Sequence, residues 1–215
     1  MICSQLFGEQ GSLAESWLIY DTPTQFAETA GYEGTVGEVC LRGPDPRIAV
    51  QLKELACFRE LRVVSGIRVE VESAQIPILA TVEEVSLTRC SSEFVEQLLT
   101  SCPKLERVNL EGCVSLTDND LRPLENLKQL TELRVYDASV SGAFINFLRG
   151  SRLRKLILLE CHLDEGTIDL LAKLNTLESL TITINCSEDS INNLRALPLL
   201  RKLEISPSQL EKRSD

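Results

Sequence analysis

Apolar residues along this chain return at a fixed spacing. Between Cys102 and Cys113 they stand at Leu105, Val108 and Leu110, and Cys113 follows three places after the last. Two apolar positions with one polar residue between them are the alternation of a half-buried strand. The same frame recurs at Val82, Val85, Leu87, Cys90 and at Leu130, Leu133, Val135, Ala138. It recurs again at Leu153, Leu156, Leu158, Cys161, at Leu177, Leu180, Ile182, Asn185, and at Leu200, Leu203, Ile205, Ser208. Phe58, Leu61, Val63, Gly66 is a looser copy. The second position of each copy reads 61, 85, 108, 133, 156, 180, 203, in steps of 24, 23, 25, 23, 24 and 23 residues. Such a period marks stacked units, each burying its apolar face only against its neighbours.

The segments between these strands complete the unit. Val36, Val39 and Leu41 fit the frame as an earlier, degenerate copy, and Gly43-Pro44-Asp45-Pro46 predicts a turn, then a helix through Ile48, Leu52 and Leu55. After the expected strand 58–64, Ile67, Val69 and Val71 alternate with Arg68, Glu70 and Glu72, which is strand spacing, and Pro77 follows. This unit is expected to lack a regular outer helix. From Ser92 onward the spacing turns helical: Phe94, Val95, Leu98 and Leu99 recur at three and four. Thr117 with Asp120 predicts a helix start, and Pro123 lies early enough to be tolerated. Segments 141–148, 164–174 and 187–197 repeat the arrangement. Near the N-terminus, Trp17-Leu18-Ile19-Tyr20 reads as a strand. The fold class is therefore α/β: a solenoid with a curved parallel sheet on the concave face and helices and irregular segments on the convex face.

The unit Cys-Pro-x-Leu-x-x-Val-x-Leu-x-x-Cys at 102–113, followed by Ser115-Leu116-Thr117-Asp118, resembles the leucine-rich repeat superfamily. Within it the unit looks like the cysteine-containing class found in F-box proteins, and the resemblance covers about residues 55–210. The resemblance implies a solenoid that binds other proteins, but a fold of this kind hosts many roles. The domains expected are an acidic N-terminal cap or arm over 1–35, a repeat domain over 36–210 of about seven to eight units of 22–25 residues, and a polar tail over 211–215.

Composition narrows the partner. Hydrophobic content of 43% with 5% aromatic suits a core of Leu, Ile and Val. A formal charge of −10 lacks the basic footprint that nucleic acid or an anionic membrane needs, and favours a protein partner with a basic or mixed apolar and charged face. No window holds the ~20 apolar residues of a membrane span, and the first residues lack a secretory pattern. A soluble intracellular protein, cytoplasmic or nuclear, is expected. Through Leu41 the chain carries six acids and no Lys or Arg, so 1–35 reads either as a cap over the first unit or as an acidic docking arm. Of eight cysteines, Cys90, Cys113 and Cys161 share one slot of the repeat, and no pair has C-x-x-C spacing. Reduced, structural thiols are expected.

Candidate chemistry is sparse. His162 is the only histidine, and Cys161 beside it occupies the inward slot, so the two do not form a nucleophile–base pair. No phosphate-binding glycine motif or zinc spacing occurs. No catalytic residue, cofactor or metal is expected, and the chain does not read as an enzyme. Strand alternation sends the remaining strand positions to the concave face. The central row reads Arg62, Ser86, Asn109, Arg134, Ile157, Thr181, Glu204, and the following row begins with Val64 and includes Tyr136 and Leu159. Tyr136, Ile157 and Leu159 form an apolar island rimmed by Arg134, Asp137, Lys155 and Glu160, which is either a partner-binding patch or apolar surface covered by a loop. The function expected is a non-enzymatic, monomeric protein–protein interaction module. The resemblance offers two alternatives: a substrate receptor of a ubiquitin ligase, although 1–35 shows no F-box, and a regulator of a small GTPase of the Ran type, whose units are longer.

Overall fold

A computed structural model describes residues 17–20, 37–43, 53, 55, 61–70 and 76–208. The rest of the expected cap or arm, most of the helix expected through Ile48 and Leu52, and the 211–215 tail lie outside the described residues. Nine strands form one sheet in sequence order, every neighbour pair parallel. They are β1 Trp17–Tyr20, β2 Glu38–Arg42, β3 Val63–Ile67, β4 Glu84–Thr88 and β5 Arg107–Glu111. β6 Glu132–Tyr136, β7 Lys155–Leu159, β8 Ser179–Thr183 and β9 Lys202–Ser206 complete it. The strand read at 17–20 is present and extends the sheet by pairing with β2.

The inward slots stack as the period requires. Val85, Val108, Leu133, Leu156 and Leu180 stand in register from β4 to β8, and Leu87, Leu110, Val135, Leu158 and Ile182 form the next row. All ten have at most 1% of their surface exposed, and they belong to one continuous core from Val39 to Leu197.

The frame expected for the third unit is wrong by three residues. Val64, not Leu61, pairs with Val85, and Gly66 pairs with Leu87. The true copy is Leu61, Val64, Gly66, Val69, with both valines and Leu61 buried. Gly66 holds an inward slot because there is no room for more: a Cβ there would lie 2.9 Å from Leu87 Cδ2 and 3.2 Å from Phe94 Cε1. Val63 and Ser65 consequently face outward, where Arg62 and Val64 were expected. The strand ends at Ile67, short of Val69, and Val71 of the expected alternation lies outside the described residues.

From β3 to β7 each strand exit turns by one left-handed residue: Arg68 (φ 54°), Arg89 (55°), Gly112 (62°), Asp137 (52°) and Glu160 (53°). The N–H groups of the first four reach the carbonyl at the end of the next strand, at 2.7–3.0 Å. The turn is thus tied to the neighbouring unit. β8 departs from the pattern, because a β-branched residue resists that conformation. Ile184 stands there instead and is buried, and β7 and β8 stop pairing at Leu158 and Ile182.

The outer segments are only partly the α-helices expected. α1 (Ser92–Ser101), α2 (Thr167–Leu171) and α3 (Glu188–Arg195) are α-helical, but Asn119–Asn126 and Ala143–Gly150 are 3-10 helices. A 3-10 turn rises about 2.0 Å per residue against 1.5 Å, so eight residues cross a unit that would need a longer α-helix. Pro123 inside the first of them has no N–H to lose. Ser91 and Ser187 cap α1 and α3, their hydroxyl oxygens accepting from Phe94 N at 3.4 Å and Ser190 N at 3.3 Å. Asp118 acts between units. Its carboxylate accepts from Ser141 N (2.8 Å), Gly142 N (3.1 Å) and Phe144 N (2.9 Å), fixing the start of the following outer segment. Gly142, at φ 98°, is required there, since a side chain would also strike Thr167.

Candidate functional site

The face of the sheet opposite the helices carries three rows of side chains. The row at the strand starts runs Val63, Glu84, Arg107, Glu132, Lys155, Ser179, Lys202. The middle row runs Ser65, Ser86, Asn109, Arg134, Ile157, Thr181, Glu204, and the row at the strand ends runs Ile67, Thr88, Glu111, Tyr136, Leu159. Thr183, expected on the open face beside Leu159, is buried.

The first row pairs within itself. Arg107 Nε lies 2.8 Å from Glu84 Oε2 across β4 and β5. Glu132 Oε1 takes Arg134 Nε at 2.6 Å and Lys155 Nζ at 2.9 Å. Partial burial opposes the charge on Glu132, but the bonds from Lys155 and Arg134 outweigh it and hold the carboxyl below the usual range. Beside this cluster lies a polar hollow of about 170 Å³ lined by Glu84, Ser86, Arg107, Asn109, Glu132 and Arg134. In the middle row Asn109 Nδ2 donates to Ser86 Oγ at 3.2 Å.

The island expected from sequence is assembled in part as drawn. Tyr136 and Leu159 are direct cross-strand neighbours, and Ile157 stands beside Arg134. Tyr136 is 43% exposed, while Ile157 and Leu159 are half-buried. Lys155 and Arg134 meet through Glu132, a residue not among the expected rim. Asp137 and Glu160 occupy the left-handed strand exits next to Tyr136 and Leu159. The apolar row has one member that sequence reasoning missed: Ile67, 36% exposed, at the far end of the row from Leu159. Correct framing of the third unit on Val64 and Val69 would have found it.

A second depression, about 570 Å³, runs over the strand-exit turns and is lined by Glu70, Arg89, Glu93, Val114 and Asp137 among others. Val114 on its wall is 63% exposed.

Cys90, Cys102, Cys113 and Cys161 are buried on the other side. Cys113 Sγ donates toward Leu87 O at 3.9 Å and Cys161 Sγ toward Val135 O at 3.7 Å, each reaching the preceding unit. Burial pushes the Cys90, Cys102 and Cys161 thiols up to about 12, and raises Cys113 as well. A thiol so held stays protonated at neutral pH. His162 is exposed while Cys161 is buried, so the two side chains do not share a site. Among the described residues no group of His, Cys, Asp and Glu is arranged to hold a metal ion, and no helix is long and apolar enough to cross a membrane.

Two solved structures share this arrangement. An internalin (inlF) of Listeria monocytogenes aligns over 90% of this chain with a TM-score of 0.59 and 17% identity. An internalin C2 (inlC2) of the same organism aligns over 78% of it with a TM-score of 0.53 and 16% identity. With nine parallel strands, inward leucine rows and a helical outer side already in place, the likeness decides the architecture. The fold is a leucine-rich-repeat solenoid. The chain spans 54% of the length of inlF and 79% of that of inlC2. No protein-family model and no curated protein matches the sequence.

Proposed function

We propose that this leucine-rich-repeat chain is a non-enzymatic protein–protein interaction module that receives its partner on the concave face. Tyr136, Ile157 and Leu159 are the anchors, and Arg134, Asp137, Lys155 and Glu160 form the charged surround. One observation carries the reading: an aromatic ring 43% exposed sits directly against Leu159 on a rigid sheet, outside a core that needs neither. Exposed apolar side chains fixed on a sheet and bordered by charge have the anatomy of an interface centre. The net charge of −10 favours a partner that presents basic groups around an apolar contact. In this reading the protein is soluble and intracellular, with the reduced cysteines of the cysteine-containing repeat class, and 1–35 serves as the N-terminal cap.

The test is the triple variant Tyr136→Ser, Ile157→Thr, Leu159→Thr. Its thermal unfolding should stay close to that of the parent protein, while recovery of the principal partner in a quantitative pull-down should be lost. Unfolding of the variant would mean the island is core. A folded variant that still recovers the partner would move the site off this face.

A further inference from the structure

Among the described residues the inward slots are buried from β2 to β8 and open at β9. Leu177, Leu180 and Ile182 in the β8 unit are fully buried. Their counterparts in the β9 unit, Leu200, Leu203 and Ile205, are only partly buried, and Leu199 beside them is 50% exposed. The strand there is also unpartnered: among the described residues β9 is bonded to β8 alone. Lys202 N donates to Glu178 O, and Ser206 O accepts from Ile184 N. Alternation along the strand therefore turns the peptide groups of Leu203 and Ile205 to the free edge.

Charge selects the occupant. Two copies at −10 repel each other, but the stretch 186–208 is locally neutral. Arg195, Arg201 and Lys202 balance Glu188, Asp189 and Glu204 there. On the outward side of β9, Lys202 Nζ and Glu204 Oε1 stand 3.1 Å apart. This pattern complements itself when the strand is reversed. In an antiparallel pair about an axis beside Leu203, the two Leu203 residues exchange both backbone hydrogen bonds. Lys202 then faces Glu204 of the second copy, twice, at the closely spaced non-hydrogen-bonded positions. Centring the pair on Glu204 instead would oppose two like carboxylates. Charge thus fixes the register as well as the partner.

We propose that two copies of this chain join through β9 in a twofold antiparallel edge pair, continuing the sheet and closing both open ends of the core. The arrangement is isologous, so it stops at two. It replaces the monomer expected from sequence.

Sedimentation velocity of the full chain over a concentration series tests this. A monomer–dimer equilibrium is expected. Glu204→Lys and Lys202→Glu should each weaken the dimer by about tenfold or more, since two attractive cross-strand pairs become repulsive. Both sites are exposed, so circular dichroism should show both variants folded. Mixed in equal amounts, the two variants should pair with each other at about the parent's affinity, because every contact is then Lys opposite Glu. A parent that stays monomeric at all concentrations would overturn the proposal. So would polymers that grow with concentration, the signature of β9 meeting β1 of the next copy. Variants that dimerise as tightly as the parent, or a mixture that fails to restore pairing, would refute it too.

Discussion

The frame of the third unit can be decided by two substitutions of identical chemistry at adjacent positions. Val64 is buried at 0% exposure in the core row with Val39 and Val85, whereas Val63 faces outward and is half-buried. Changing either to Ala removes the same two methyl groups and costs the same intrinsic strand preference, so their difference reports burial alone. At Val64 the lost transfer energy is about 1.6 kcal/mol, at about 0.8 kcal/mol per buried carbon. The cavity left between Val39 and Val85 raises this toward about 3 kcal/mol, because stacked strands collapse only partly. At Val63 solvent fills the space, and the loss should stay near or below about 0.8 kcal/mol. For a chain of this size the Val64→Ala melting point should fall by about 5–10 °C, and that of Val63→Ala by about 3 °C or less. Urea unfolding followed by circular dichroism measures both. Equal losses, or a larger loss at Val63, would refute the frame and restore the one expected from the Leu61–Val63 spacing.

Asp118→Ala should cost about 1–3 kcal/mol, since one carboxylate accepts from the Ser141, Gly142 and Phe144 N–H groups together; Asp118→Asn, which keeps an acceptor oxygen, should recover part of that loss in the same denaturant titration. With their pKa values pushed up by burial, Cys90, Cys102, Cys113 and Cys161 should resist alkylation in the native protein at pH 7–8. Unfolding without reductant should then label all eight cysteines by intact mass, and two or more native disulfides would contradict the reduced state.

From β4 onward the fold is legible in the sequence because every unit places Leu, Val or Ile at both inward slots. A polar residue stands between them in every unit but β7, where Ile157 does and the period of the flanking units carries the frame across. At β3 the signal fails for a local reason. Gly66 occupies an inward slot, and the neighbouring Val63 and Val64 are equally apolar, so spacing alone slid the frame to the better-looking pair. That slip hid Ile67, the fifth strand position of the unit, and with it one apolar member of the open face. The two 3-10 segments read as α-helices because apolar residues three apart, such as Leu121 and Leu124, fit both helix types. The exit of β8 could have been suspected. Ile184 is β-branched where other units tolerate a left-handed residue, so the chain had to leave that strand differently, with Ile184 buried in the core.

The open face divides its labour between rows. At the strand starts, Glu84 is matched by Arg107, and Glu132 by Arg134 and Lys155, so most of the charge there is already paired within the protein. A partner gains little by contacting it, because each new ion pair must displace one that exists and both are partly solvated. At the strand ends the row holds Ile67, Tyr136 and Leu159, which no neighbouring unit covers to the same degree as the inward leucines. Burying that row exposes nothing in exchange. Affinity should therefore follow the apolar row and be nearly independent of salt, while the exit carboxylates Asp137 and Glu160, in no ion pair among the described residues, should govern how fast a basic partner arrives. Substituting those exits changes the backbone as well as the charge, since both residues hold positive φ. Asn, which tolerates that conformation best after glycine, is the replacement that isolates the electrostatic part.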